Sequence, residues 1–393
     1  MKRDEYRACD MPYELWLCSF PDISNRVLLN LLELCGSARE VYYADTHRWR
    51  QVLKEKQVES LKRFTEIWKP EEEYRKLKER GIYLVTLGDM EYPKRLMEIP
   101  DAPYGLFVRG SLPGEEITVA VIGARDCSGY GAYVAKKLGE TLARHGITVI
   151  SGMARGVDGI SQQAALDAGG KSCGVLGCGV DVCYPKQNRA LFERLPGQGC
   201  LISSYPQGMP ALSRNFPPRN RIVSGLADAV VVVEAREKSG TLITVDMALE
   251  QGREVYAVPG RVTDRLSDGC NRLIRQGATP LLAPEELLEE LEGLRERKRG
   301  GENNSVSLPV KPHTGQRARF KEHNTFREED EAKLSPELAE VYKVLSLTPQ
   351  NAEEIRENLP ERYRDMNLNA CLMRLCLEGK AEQVSPGCFC IAF

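Results

Sequence analysis

The chain has 393 residues, with 54 Lys and Arg against 56 Asp and Glu and a formal charge of −2. That length accommodates two or three domains, one with a substantial core, and the near-neutral balance excludes a global field drawing the chain onto nucleic acid; any basic surface has to be a local patch. No run of about 20 apolar residues occurs and the opening MKRDEYRACDMPYELW lacks a signal peptide's apolar stretch, so a cytoplasmic protein without a membrane partner is expected.

Residues 1–110 read as an N-terminal helical cap region. SNRVLLNLLELCGSAREVYYA carries apolar residues at helical intervals with a break at Cys35-Gly36-Ser37, a helix is expected through Trp68 to Lys78, and strands at Gly81 to Asp89 and Tyr104 to Arg109. Residues 111–292 alternate strand, glycine turn and helix. Strands are expected at Ile117 to Gly123, Ile147 to Gly152, Cys173 to Gly179, Asp228 to Ala235 and Glu254 to Gly260, with helices at Ala132 to His145, Ile160 to Ala168 and Thr241 to Glu250. The period gives an α/β fold, a Rossmann-like, doubly wound parallel sheet. Residues 293–333 are polar, charged and nearly free of aliphatics, the composition of a flexible linker. Residues 334–393 have the outline of a winged-helix-like domain, three helices and two short strands turning at Ser385-Pro386-Gly387. Its third helix offers only Arg374 as a reading cation, so a protein contact there competes with duplex binding.

In doubly wound sheets ligands sit beyond the carboxyl ends of the strands. Here those loops read GARDCSGYG, SGMARGVDG, GCGVDVCYPKQN and EAREKSGTLIT. Glycines let backbone N–H groups approach an anion, and Arg125, Arg155, Lys186 and Lys238 add full charges, which points to phosphate. SRNFPPRNRIVSG adds Arg214, Arg219 and Arg221 around Asn215, Phe216 and Asn220, and Arg236 follows the next strand; this mixture suits a nucleic-acid strand. Absence of GxGxxG disfavours a dinucleotide cofactor, and absence of GxxxxGK[ST] disfavours a triphosphatase. The 13 cysteines have no zinc-like spacing and read as reduced thiols, so neither metal nor cofactor is expected.

VIGARDCSGYG, SGMARGVDG, GVLGCGVDVCYPKQN, FPPRNRIVSGLADAVVVVEA, SGTLIT, ALEQGREVYAVPG and CNRLIRQGA occur in this order, and together they resemble the DNA-processing protein A family, also called Smf. The resemblance spans about residues 80 to 285. It implies a non-enzymatic protein that binds and protects single-stranded DNA, loads RecA recombinase onto it during DNA uptake in natural transformation, and forms a homodimer through the central domain. It further implies a sterile-alpha-motif-like N-terminal region and single-strand-binding protein as a further partner. Carried over by motif, Arg125 and Lys186 would contact DNA phosphates, with Gly123, Ser128, Gly152, Arg155, Asn188, Asn220, Arg221, Ser239, Gly240 and Thr241 at the pocket rim. Two alternatives remain, an enzyme and a protein-interaction scaffold. Lysine-decarboxylase-like nucleotide-processing enzymes resemble the early loops but carry PGGxGTxxE; here EKSGTLIT puts Thr244 in the glutamate's place, leaving Glu234 or Asp246 as substitute carboxylates.

Overall fold

The structure, a computed structural model, describes residues 3–300, 335–345, 350–364, 366–378, 380–385 and 387–391. The chain divides into two units, Met1–Asn304 and Ser305–Phe393.

The first unit is built on a nine-stranded sheet: β1 (Tyr83–Thr86), β2 (Gly105–Gly110), β3 (Thr118–Ile122), β4 (Thr148–Ser151), β5 (Ser172–Val175), β6 (Gly199–Ser203), β7 (Ala229–Val232), β8 (Glu254–Ala257) and β9 (Thr279–Pro280). The spatial order is β1-β2-β6-β5-β4-β3-β7-β8-β9. From β6 to β9 every pairing is parallel, whereas β1 and β2 join antiparallel beyond β6. The strands read as continuous apolar runs because both faces are covered. Along β3, Val119 and Val121 face one core with Leu138, Leu142, Val157 and Leu287. Ala120 and Ile122 face the other, with Ile222, Val223, Val245 and Leu273.

The expected parallel, doubly wound sheet is present, with differences that have local causes. Helix Gly129–Arg144 starts ahead of the expected Ala132, because Ser128 caps it by accepting from Gly131 N. SRNFPPRNRIVSG, for which the sequence predicts no element, forms helix Phe216–Gly225; its prolines sit in the first turn, where missing N–H groups have no helical partner to lose. β6, where the sequence predicts no strand, is short and flanked by glycines and a proline. Helix Pro284–Gly300 runs into the segment read as a linker, and residues 301–333 of that segment lie outside the described residues.

Before β1, helices Arg3–Ser19, Asn25–Cys35, Ala38–Tyr43, Thr46–Trp49, Glu55–Ile67 and Pro70–Glu79 enclose their own core around Trp16, Leu31 and Leu61. Leu15 and Leu77 from the first and last of them pack instead with Leu84 and Phe107 of β1 and β2. In the second unit, helices Pro336–Val344, Ala352–Asn358 and Leu368–Leu377 surround Leu338, Ile355, Leu372 and Phe389. The sheet there has the order β10 (Gln350–Asn351), β12 (Cys388–Ile391), β11 (Ala381–Ser385), all antiparallel, a winged-helix-like arrangement.

Glu14 lies where the helical region meets the sheet, accepting a 2.6 Å hydrogen bond from Tyr104 Oη. Burial, opposed by that bond and reinforced by Asp89 and Asp10, pushes its carboxyl up from 4.5 to about 7. The folded state thus holds a proton that the unfolded chain releases, so the stabilisation is complete below the unfolded value and is lost as pH rises through 7. We expect Glu14→Gln to remove that loss: relative to the variant, wild type falls by about 3 kcal/mol between pH 4.5 and pH 7.5 in urea unfolding. Parallel curves for the two proteins would show that Glu14 titrates normally.

Candidate nucleic-acid interface

β3 and β7 are neighbours, yet β4, β5 and β6 are laid to one side of β3 and β8 and β9 to the other side of β7. The chain therefore reverses its direction of travel between them, and the loops that follow diverge to leave a crevice. Gly123–Ser128 follows β3, Glu234–Ser239 follows β7, and Thr241 Oγ1 bridges the two by donating to Gly123 O at 3.2 Å. The amino end of helix Phe216–Gly225 forms a third wall. The result is an open cleft of about 530 Å³.

Its floor is Arg219, 4% exposed. One terminal nitrogen donates to Gly152 O at 2.7 Å and also to Val175 O, so the guanidinium ties together the ends of β4 and β5. Gly152 approaches so closely that a Cβ there would stand 2.7 Å from both terminal nitrogens. Burial pulls the Arg219 pKa down, and the charge of Asp158 opposes it. Asp158 is itself pushed up, by burial first, while Arg219 and the N–H of Gly152 hold it down. Arg219 Nε has no hydrogen-bond partner among the described residues.

Above the floor lies the ring of Phe216. Arg219 is 5.7 Å from its centroid and the exposed Arg125 is 5.8 Å from it, both within cation–π range. Tyr184, 44% exposed, is tilted against the same ring at 5.5 Å. Arg236 and Lys238, both exposed, line the side formed by the β7 loop. The neighbouring Arg155 and Arg272 are paired, with Asp126 at 3.2 Å and Glu237 at 2.8 Å. Arg125, Arg236 and Lys238 have no carboxylate partner among the described residues. A cleft with three free cations around aromatic rings can take a phosphate-bearing, base-bearing polymer.

Of the sequence candidates, Gly123, Arg125, Gly152, Asn220, Ser239, Gly240 and Thr241 line this cleft. Five others are placed elsewhere. Lys186 is exposed on the short helix just after Tyr184, beyond the lining, and Arg155 is turned to Asp126. Asn188 donates to Met153 O and Ala154 O at 3.0 and 2.9 Å, holding the loop after β4. Arg221 pairs with Asp101 on the opposite side of its helix. Ser128 bonds to Glu234, a buried carboxylate at the end of β7, through its backbone N at 2.9 Å and its hydroxyl. Tyr184 and Asp158 are among the lining residues that sequence reading did not single out; a tyrosine before a proline carries no signal of its own, and Asp158 counts only because the fold sets it beside Arg219.

A family model described as "DNA recombination-mediator protein A" matches residues 83–292, just over half of the chain. Similar curated proteins include "Protein Smf" of Escherichia coli, 43% identical over 218 residues, covering 55% of this chain and 58% of that protein. "DNA processing protein DprA" of Streptococcus pneumoniae is 43% identical over 202 residues, 51% of this chain and 71% of that protein. Among solved structures, the X-ray structure of DNA processing protein A from Streptococcus pneumoniae superposes with a TM-score of 0.62 at 32% identity, covering 71% of this chain and 97% of that one.

Removing the floor should be felt in stability before it is felt in binding. Arg219→Ala leaves two strand-end carbonyls and Asp158 without their cation, and we expect a loss of about 3 kcal/mol in urea unfolding. A variant as stable as wild type would mean that the strut holds nothing.

Proposed function

We propose that this chain, which belongs to the DNA recombination-mediator protein A family, is a non-enzymatic binder of single-stranded DNA that serves in recombination. The observation that carries the reading is the set of unpaired cations, Arg125, Arg236 and Lys238, at the rim of one cleft beside Phe216 and Tyr184. Exposed cations neutralise phosphates without reading sequence, and the rings accept any base by stacking. The family description and the words "DNA processing" in the name of a relative favour DNA over other polyanions. Within this reading the protein protects the strand and loads a RecA recombinase onto it during DNA uptake. It acts in the cytoplasm as a homodimer whose paired clefts share one strand. Among the described residues no helix is long and apolar enough to cross a membrane.

The nucleotide-processing enzyme is the weaker reading. Thr244, in the position of the required carboxylate, is buried. Glu234, a possible substitute, is 1% exposed and committed to Ser128. Asp246 is exposed on helix Gly240–Glu250 and does not line the cleft.

The test is fluorescence anisotropy of labelled oligo-dT and of a matching duplex across several salt concentrations. Wild type is expected to prefer the single strand. Arg125→Ala and Lys238→Ala should each weaken binding to all sequences alike and flatten the log–log salt slope by about 0.7 for each phosphate no longer neutralised. Arg155→Ala, already paired with Asp126, should change the slope less. Duplex bound as tightly as single strand, with slopes unmoved by Arg125→Ala and Lys238→Ala, would remove the cleft from DNA binding; release of free base from a nucleotide would restore the enzyme reading.

A further inference from the structure

The first strand–turn–helix of a doubly wound sheet is ordinarily its anion seat, because unpaired N–H groups and the helix dipole converge there. Here that seat is already filled from within the fold. Glu234 is 1% exposed and has no cation paired with it among the described residues. What holds its carboxylate in place is the beginning of helix Gly129–Arg144. Gly131 N donates to Ser128 Oγ at 3.0 Å, Ser128 Oγ donates to one carboxylate oxygen, and Ser128 N donates to the other at 2.9 Å. A Cβ on residue 131 would lie 2.3 Å from that second oxygen, so the seat requires glycine there.

We propose that Glu234 is a specificity determinant of the cleft: an internal anion that occupies the phosphate position at the first helix and so rejects free phosphate and mononucleotides. Phosphates are then held only by the outer cations Arg125, Arg236 and Lys238, which single charges in solution engage weakly and a chain of phosphates engages together. The exclusion rests on the Glu234 geometry alone; that the chain of phosphates is DNA rests on the proposed function.

The experiment uses the full chain, with inorganic phosphate and thymidine monophosphate as probes, read by isothermal titration and by thermal unfolding against chloride of equal ionic strength. Wild type is expected to respond to neither probe beyond the chloride control. Glu234→Ala vacates the seat and should bind phosphate at least about tenfold more tightly than wild type, with phosphate raising its melting temperature. Ser128→Ala, which keeps the carboxylate and one of its two bonds, should stay as indifferent to phosphate as wild type. Equal phosphate binding by wild type and Glu234→Ala, or an equal gain in Ser128→Ala, overturns the proposal. If Glu234→Ala does not fold, the wild-type amide resonances of Ser128, Gly129 and Gly131 decide it: unmoved by millimolar phosphate they support exclusion, and a saturating shift overturns it. Oligo-dT titrated in parallel separates the two readings, since a wild type indifferent to phosphate and to oligo-dT overturns the proposed function and leaves the exclusion standing.

Discussion

A buried guanidinium governs the cleft. Arg219 comes from a helix whose Ile222 and Val223 are packed on one face of the sheet, and its side chain fastens that helix to the carboxyl ends of β4 and β5. A charge so far from water is tolerated only where several acceptors and an opposite charge converge on it. Gly152, Val175 and Asp158 provide that convergence, and Phe216, three residues earlier in the chain, is set above it as a consequence. Arg125 then rests 5.8 Å from the centroid of the same ring. The cleft's exposed surface is thus arranged by a group that is itself inaccessible.

The electrostatics of the cleft follow from how its carboxylates are used. The chain as a whole is nearly neutral, yet Asp126, Glu234 and Glu237 near the cleft are each occupied by a neighbour: Arg155, Ser128 and Arg272. Asp158 lies beneath the surface beside Arg219. Among the described residues that line the cleft, the cations facing solvent without a carboxylate partner are Arg125, Arg236 and Lys238. A local positive patch arises here through the pairing of anions, with no excess of basic residues in the composition.

Much of the fold was legible because its signals are local. Apolar runs ending at glycine marked β3, β4 and β8, and the valine run of DAVVVVEA marked β7, since a strand covered on both faces is apolar along most of its length. What was not legible depends on partners far away in sequence. The two prolines after Phe216 resemble a breaker until the helix they open is seen, and β6 is recognisable chiefly by its pairing to β5 and β2. The same division runs through the site. Gly123, Gly152 and Thr241 sit where loop position alone puts them. The side chains of Ser128, Asn188 and Arg221 are claimed by Glu234, by Met153 and Ala154, and by Asp101, between 34 and 120 positions distant. Motif position places a backbone; the direction of a long or polar side chain is decided by whatever else the fold brings beside it.

The antiparallel pair at the sheet's edge ties the helical N-terminal region to the rest more firmly than side-chain packing would. β2 hydrogen-bonds β6 from Phe107–Ser203 to Gly110–Cys200, and β1 closes the outer side of β2. Cutting the chain after residue 110 would strip β6 of a neighbour and leave a row of unsatisfied amides and carbonyls along a strand rich in apolar residues, a template for pairing with other molecules. The boundary that the strand–turn–helix pattern suggests near that point is therefore bridged by backbone pairing. It is a seam, and mechanical strain applied to the N-terminal helices would reach the cleft's scaffold through backbone hydrogen bonds.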